Sequence, residues 1–440
     1  MLQSIKKKIF WSLDALKGGR IRIHYNDINL ILTDIDSDES KNRRAESLDQ
    51  LLKHAVTTTP FYKNFYNYKG LDDFTVIDKN IIRDYYEDFK SSAYKNKKKY
   101  SVYTSGSTGT PFTLLHDKNK RNRNSADVIY FAQQAGFEIG HKLYYVRHWD
   151  QYNSPKLWMA RIKNIYMHPV SKLSKTDLEI LLRDMSEDNS PKGIMCYASV
   201  LDELKTYLEG PHPKPVVKNV KSIIAISESL KEDAKLSTEH YFGVPVVSRY
   251  SNVENGILAQ KNAASGEYQI NWASYLLEIL DMHTNAPVKP GVFGRIVITD
   301  LYNYCMPMIR YDTGDIGQLS ISHKNGAKHR ILERVEGRKM DMIYKTNGEM
   351  TSPFMVYHIL KYPHIRQYQF IQENKTQYKL KLNVLPEFRS ADNIVTEFKK
   401  HLGSDAEISL DYVDDIPLLS SGKRKFVINK FRGGKEKEHV

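Results

Sequence analysis

The sequence predicts an α/β protein of two domains: a large layered N-terminal domain of β-sheets and helices, 1–338, and a small α+β C-terminal domain, 339–440. Three observations carry this expectation. The chain has 440 residues, more than one hydrophobic core normally supports. Strand-like and helix-like segments alternate through its middle, the signature of a layered α/β core. A charged joint, Glu333 to Asp341 with a single glycine in its first part, then precedes a last block of roughly 100 residues, large enough to fold alone.

Taken in order, Leu2, Ile5, Ile9, Leu13 and Leu16 recur at helical spacing among Lys6, Lys7 and Lys8, which predicts a basic amphipathic helix. A docked surface helix is the favoured reading, and peripheral contact with a membrane is the alternative. The charges interrupt any secretory core, and no apolar run reaches the roughly 18 residues of a membrane span. Residues 45–55 read as helix, broken at Thr57-Thr58-Thr59-Pro60-Phe61-Tyr62, with helical segments continuing to about Ser92. Beyond residue 111 the expected elements are strand Lys142–Val146, helix Thr176–Met185, strand Gly193–Tyr197, helix Val200–Leu208, strand Ser222–Ile226, helix Lys231–Tyr241 and strand Pro245–Tyr250. From Gly256 to Leu319 the runs shorten, with Leu276–Leu280 and Val292–Thr299 the clearest strands. The last block reads as helix Phe354–Leu360, strands Gln367–Gln372 and Tyr378–Val384, a helix to His401 and strand Glu407–Tyr412.

Composition narrows the function. With 41% apolar and 27% charged residues the chain is of the soluble globular class. Its two cysteines, Cys196 and Cys305, have no metal-ligand spacing, so a reducing compartment and a cytoplasmic location are expected, without zinc or a structural disulfide. The net charge of +13 is spread along the chain. No aromatic-interleaved basic repeat accompanies it, so nucleic acid is not the expected partner. Such a charge suits polyanionic small molecules or an acidic carrier surface.

The most informative stretch is Thr104-Ser105-Gly106-Ser107-Thr108-Gly109-Thr110-Pro111. Hydroxyls and glycines in this density make a donor-rich loop whose backbone can approach a phosphate closely. It stands between β-prone runs, Tyr100 to Tyr103 and Phe112 to Leu115, and so reads as a hairpin tip. A Walker loop is excluded, because no Gly-Lys-Ser/Thr opens a helix here. Four further segments have bland readings when taken singly. Arg249-Tyr250-Ser251-Asn252-Val253-Glu254 ends a β-prone run, where an aromatic can stack on a base and a carboxylate can hold Mg²⁺. In Met308 to Asp315, an Asp after Thr-Gly sits where a turn leaves a strand and can accept ribose hydroxyls. The Gly337-Arg338 joint is the third segment. The fourth, Ser420-Ser421-Gly422-Lys423, puts a lysine on a Gly-Ser tail.

In this order, the motifs resemble those of the adenylate-forming superfamily of acyl-CoA synthetases and adenylation domains, over about residues 45–430. Within it the chain is most similar to the phenylacetate–coenzyme A ligase branch, including homologues from capsule and polysaccharide loci, which share the Pro60-Phe61-Tyr62 break. The resemblance implies a mobile C-terminal domain and an ATP-dependent activation of a small carboxylic acid through acyl-AMP. Acyl transfer to CoA or a phosphopantetheine-bearing acyl carrier protein would follow, in surface-polysaccharide or secondary metabolism. It implies that Thr104, Ser105, Gly106, Ser107, Thr108 and Gly109 cradle ATP phosphates and that Ser227 and Glu228 line the adenine pocket. Tyr250 would stack on adenine, Glu254 would bind Mg²⁺, and Asp315 with Arg338 would hold the ribose. Met340 falls at the hinge and Lys423 reaches the reacting phosphate. His148, in Arg147-His148-Trp149, is a candidate for the acid pocket, against the reading of a packed histidine. Val253 stands where the family carries Thr or Ser, and Met340 where it carries a polar residue. Those departures motivate a second reading, a nucleotide-binding scaffold of the same fold that has lost turnover.

Overall fold

The computed structural model describes residues 2–104, 112–149, 154–282, 284–324, 327–338, 343–351, 356, 359, 362–417 and 426–431. Contacts divide the chain into two units, Met1–Thr313 with Gly317–Arg334, and Gly314–Ile316 with Val335–Val440.

The first unit begins with helices Leu2–Leu16, Arg20–Thr33 and Asp38–Thr58. The second was not expected from the sequence. Its Ile28, Ile31 and Leu32 are buried against Ala126, Tyr130 and Phe131. The first helix forms as expected, but its regular apolar stripe is not the docked face: Ile5, Ile9, Leu13 and Leu16 are exposed. It is held instead by Lys7 on Glu138, by the Trp11 ring against Tyr25 and by Asp14, which accepts the backbone N–H groups of Ile21 and Arg22. After Thr59 the helix ends and Pro60 opens a 3₁₀ turn, where its missing N–H costs nothing.

Strands β1 (Tyr100–Thr104) and β2 (Phe112–His116) form an antiparallel hairpin, closing at Thr104 opposite Phe112. A long helix, Lys118–Gln134, follows directly. Then come β3 (Lys142–Arg147), β4 (Ile165–Pro169), β5 (Lys192–Tyr197), β6 (Val220–Ile226) and β7 (Val246–Asn252). The unit continues with β8 (Gly256–Lys261), β9 (Tyr268–Ile270), β10 (Tyr275–Leu280), β11 (Phe293–Asp300), β12 (Tyr311–Lys324) and β13 (Ala327–Arg338). One eleven-stranded sheet runs β10-β11-β12-β13-β9-β8-β7-β6-β5-β3-β4. From β4 to β7 the pairings are parallel, and β7-β8 and β8-β9 are antiparallel. The parallel half is nearly continuously apolar, as strands covered on both faces require. Its core joins Val146, Ile194, Ile224 and Val247 to Leu181, Leu182, Leu201 and Leu204 of helices Lys175–Glu187 and Ala198–Glu209.

One local expectation is corrected here. Thr313-Gly314-Asp315 does not follow a strand; it lies near the start of the fourteen-residue β12. Gly314 keeps φ at +79° inside the strand, an irregularity that glycine alone adopts without strain. The Gly337-Arg338 joint lies at the end of strand β13.

The second unit holds two short paired strands, β14 (Ile343–Tyr344) and β15 (Met350–Thr351), and a four-stranded sheet. The latter consists of β16 (Ile365–Gln372), β17 (Gln377–Val384), β18 (Glu407–Tyr412) and β19 (Val427–Asn429), in the order β18-β17-β16-β19. Helix Ala391–Leu402 buries Ile394, Phe398 and Leu402 against Phe370, Leu380 and Leu382. The expected helix Phe354–Leu360 falls largely outside the described residues.

Candidate active site

Parallel strands of one sheet end on one side, and there the loops are free to carry chemistry. Arg147 and His148 leave β3, Ser227 and Glu228 leave β6, and Tyr250 to Glu254 close β7. Ser227 has φ at +72°, rare for a residue with a Cβ. It turns the chain so that Glu228 reaches sideways to the next helix. There Glu228 Oε2 accepts the Ser199 N–H at 2.9 Å, a carboxylate on the positive end of helix Ala198–Glu209. Its Oε1 is buried and has no hydrogen-bond partner among the described residues. The Tyr250 ring is buried, and its hydroxyl donates to Thr313 Oγ1 at 3.4 Å.

Glu254 is 4% exposed, in the turn joining β7 to β8. Its carboxylate pairs with the Lys79 ammonium and accepts from the Tyr311 hydroxyl at 3.3 Å. Backbone pairing explains how Lys79 arrives. The Ile77 N–H donates to the Arg310 carbonyl at 3.0 Å and the Asp312 N–H to the Ile77 carbonyl at 2.8 Å. This short parallel bridge lays the segment before helix Lys79–Asp84 beside Tyr311.

The hairpin is tied to the same turn. His116 Nε2, at the end of β2, lies 2.7 Å from the Glu254 carbonyl oxygen. A carbonyl only accepts, so Nε2 carries the proton in this contact. Burial, aided by the nearby Lys120 charge, lowers the His116 pKa to about 4, so the ring is neutral at physiological pH. Beneath it, Lys120 and Asp300 form a fully buried ion pair at 2.6 Å. Lys120 also donates to the Tyr275 hydroxyl at 2.9 Å, which in turn donates to the Asn255 carbonyl. Asp117 caps helix Lys118–Gln134 through the Lys120 N–H and accepts the N–H groups of Tyr304 and Cys305. The 253–255 turn is therefore held from both sides by a dry polar network, in which each hydrogen bond is electrostatically stronger than in water.

A cleft of about 950 Å³ opens between these parts. Tyr100 and Val102 of the hairpin, His116, Asn124 and Val253 line it, with Arg121 stacked 4.1 Å over the Tyr100 ring. Asn124 Oδ1 is buried there without a partner among the described residues. Lys99 and Lys163 join Arg121 on the wall, and among the described residues no carboxylate does, a balance that favours anionic ligands.

The structure thus brings Lys99 to Val102, at the base of the hairpin, and Val253 of the 249–254 segment to one cleft, whereas Ser227, Glu228, Tyr250 and Glu254 are not among its lining residues. Ser105, Gly106, Ser107, Thr108 and Gly109 lie outside the described residues, as do Met340 and Lys423. Thr104 ends β1 and Arg338 ends β13, with neither side chain described. Asp315 belongs to the second unit and is half-buried. His148 is half-buried; its carbonyl accepts Arg147 Nε at 3.1 Å, and Trp149 beside it donates to the His168 carbonyl. Sequence reading missed Lys79, Tyr311, His116 and Lys120. Asp78 before Lys79 does carry a visible capping signal, accepting the Asn80 and Ile81 N–H groups, but nothing local announces a partner so far along the chain.

A family model described as the CapK C-terminal domain matches residues 343–430. Protein CapK of Staphylococcus aureus is 21% identical, over 98% of this chain and 97% of its own length. A phenylacetate-coenzyme A ligase of Escherichia coli (strain K12) is also 21% identical, over 82% of this chain and 85% of its own. Among solved structures, 2-hydroxyisobutyryl-CoA ligase in the postadenylation state, in complex with R3-HIB-AMP, superposes with a TM-score of 0.71 at 15% identity, covering 90% of each chain. That similarity establishes the fold.

Proposed function

Taking the chain as a member of the adenylate-forming superfamily, related to the phenylacetate–coenzyme A ligases and to CapK, we propose that it activates a small carboxylic acid with ATP. The observation that carries this reading is the cleft in which the base of the hydroxyl-glycine hairpin meets the Glu254 turn. A substrate carboxylate oxygen attacks the α-phosphorus, a P–O bond forms, and pyrophosphate leaves. Two anions must approach, so catalysis is positioning and charge neutralisation.

The roles follow that need. Residues Thr104 to Gly109 hold the β- and γ-phosphates, Tyr250 with Ser227 and Glu228 bounds the adenine, and Asp315 with Arg338 takes the ribose. Lys423 supplies a positive charge to the reacting groups, and Met340 takes the hinge position. His148 borders the acid. Glu254 suits Mg²⁺, because that ion keeps its waters and needs only one or two carboxylates beside the phosphates. When bound there, the ion would add positive charge at the phosphates. Lys79 already offsets the Glu254 charge and yields or shares the carboxylate when it does. The acyl group then passes to a thiol, of CoA or of a pantetheinyl carrier, in surface-polysaccharide or secondary metabolism.

Exchange of labelled pyrophosphate into ATP, run with a panel of acids, tests the reading. Acid-dependent exchange that falls by orders of magnitude in Lys423→Ala, with ATP binding retained, is the expected result. No exchange with any acid favours the scaffold reading that Val253 and Met340 motivate.

A further inference from the structure

Arg249, the residue before Tyr250, is a buried cation with no anionic partner among the described residues. It is 7% exposed on β7. Its Nε donates to Gln260 Oε1 at 2.8 Å, a neutral acceptor, and its Nη2 is buried with no hydrogen-bond partner among the described residues. Gln260 cannot turn to help, because its amide nitrogen is engaged by the Phe131 carbonyl at 2.7 Å. Burial lowers the arginine pKa to about 10, only partly opposed by the Tyr145 hydroxyl.

The neighbours extend the pattern. Arg249 stands opposite Ile226, which stands opposite Tyr197, so these side chains share one face of the sheet at the strand ends. On β3, Tyr145 and Arg147 point to one face, and Arg147 Nη1 donates to the Tyr145 hydroxyl at 3.3 Å. Arg147 is half-buried, with its guanidinium 5.4 Å from the Trp149 ring centre, and like Arg249 it forms no ion pair among the described residues. Two arginines, both near Tyr145 and neither paired with a carboxylate among the described residues, therefore gather at the carboxyl ends of the parallel strands. A desolvated, unpaired guanidinium is costly, and its spare donors are matched to a carboxylate or phosphoryl group.

We propose that Arg249, with Arg147 beside it, receives a second anionic group of the acid substrate, so that the enzyme activates acids carrying two negative charges. This deepens the proposed adenylation and rests on it. One carboxylate is consumed in the acyl-AMP bond, and the other anion stays in place, bound to the arginines.

Binding is tested before turnover, by thermal shift and calorimetry with matched pairs: pentanoate and glutarate, phenylacetate and 4-carboxyphenylacetate, butanoate and 3-phosphonopropionate. The dianion of a pair should bind about tenfold more tightly, and the phosphono pair reads whether the second group is a carboxylate or a phosphoryl group. In Arg249→Gln that preference should shrink to about twofold or less, with the affinity for ATP unchanged. Arg147→Gln, at a half-buried position that tolerates exchange, should lose several-fold and keeps the test open if the first variant folds poorly. A wild-type preference for monoanions, a preference that survives both substitutions, or a loss confined to ATP binding overturns the proposal. Pyrophosphate exchange with the same pairs separates the two readings. Dianion binding that depends on Arg249 without exchange refutes adenylation alone, whereas exchange that is indifferent to the second charge refutes this inference alone.

Discussion

The ammonium of Lys79 pairs with the buried carboxylate of Glu254, and the Tyr311 hydroxyl closes on the same oxygen. The carboxylate proposed to hold Mg²⁺ is thus compensated by a partly exposed lysine. Lys79→Met should remove that competition and lower the Mg²⁺ concentration needed for half-maximal exchange, by about threefold or more, since partly screened pairs contribute about 1 kcal/mol. Glu254→Gln should act oppositely and cost at least about tenfold in exchange. Titrating Mg²⁺ against exchange rate for both variants checks the pair. Identical midpoints for wild type and Lys79→Met would remove Lys79 from the account.

His116 makes the acid side of the stability profile predictable. Burial lowers its pKa from 6.5 to about 4, so between these values the unfolded chain binds more protons than the folded one. Its contribution is whole above 6.5 and falls as pH drops toward 4, by about 3 kcal/mol in all. His24, lowered to about 4 by burial and the Arg123 charge, adds a second loss in the same window. Urea midpoints measured from pH 7 to pH 4 should therefore fall steeply, and His116→Gln should make the slope shallower. A slope unchanged in that variant would mean that His116 titrates normally.

Lys120 and Asp300, both fully buried, support the turn from below. Removing one partner leaves a bare charge in a dry core, so Lys120→Met should destabilise by about 3–5 kcal/mol. Lys120→Met combined with Asp300→Asn should recover a large part of that loss, because the asparagine keeps an oxygen for the Tyr302 N–H that Asp300 now accepts at 3.0 Å. Chemical denaturation of the single and double variants measures both terms. A double variant no more stable than Lys120→Met would assign the network a different role.

The parallel core was legible because burial on both faces forces a distinctive spelling. Gly193–Tyr197, Ser222–Ile226 and Pro245–Tyr250 read as short apolar runs, and strands β5, β6 and β7 cover them within two residues at each end. Helix Lys118–Gln134 was not read, for an equally physical reason. Its buried face includes Lys120, Arg123 and Asp127, so the apolar periodicity that announces a helix is absent. Those residues find partners in distant segments, Asp300, Asp27 and Ser274. Arg249 escaped notice in the same way: in the sequence it is one more arginine beside a tyrosine, and only burial makes it unusual. The Thr313-Gly314-Asp315 stretch was read as a turn because a lone glycine in a strand and a turn look alike until φ is known.

Ser227 offers a last check on the strand-end geometry. With φ at +72° it occupies the left-handed region at the carboxyl end of β6, where a residue with a Cβ is strained by about 1 kcal/mol or more. Ser227→Gly should relieve that strain, and the gain should be partly offset by the greater freedom of glycine in the unfolded chain, leaving a net change within about 1 kcal/mol. Ser227→Val should destabilise by about 1–3 kcal/mol, because branching at Cβ resists this conformation further. If the strain persists because Glu228 must reach the Ser199 N–H, then Glu228→Gln should leave the backbone conformation intact. Glu228→Ala should instead expose the first turn of helix Ala198–Glu209 to exchange. Hydrogen exchange at Ser199 together with the stability of the two Ser227 variants measures this. Equal stability of the glycine and valine variants would mean that residue 227 does not hold the left-handed conformation in solution.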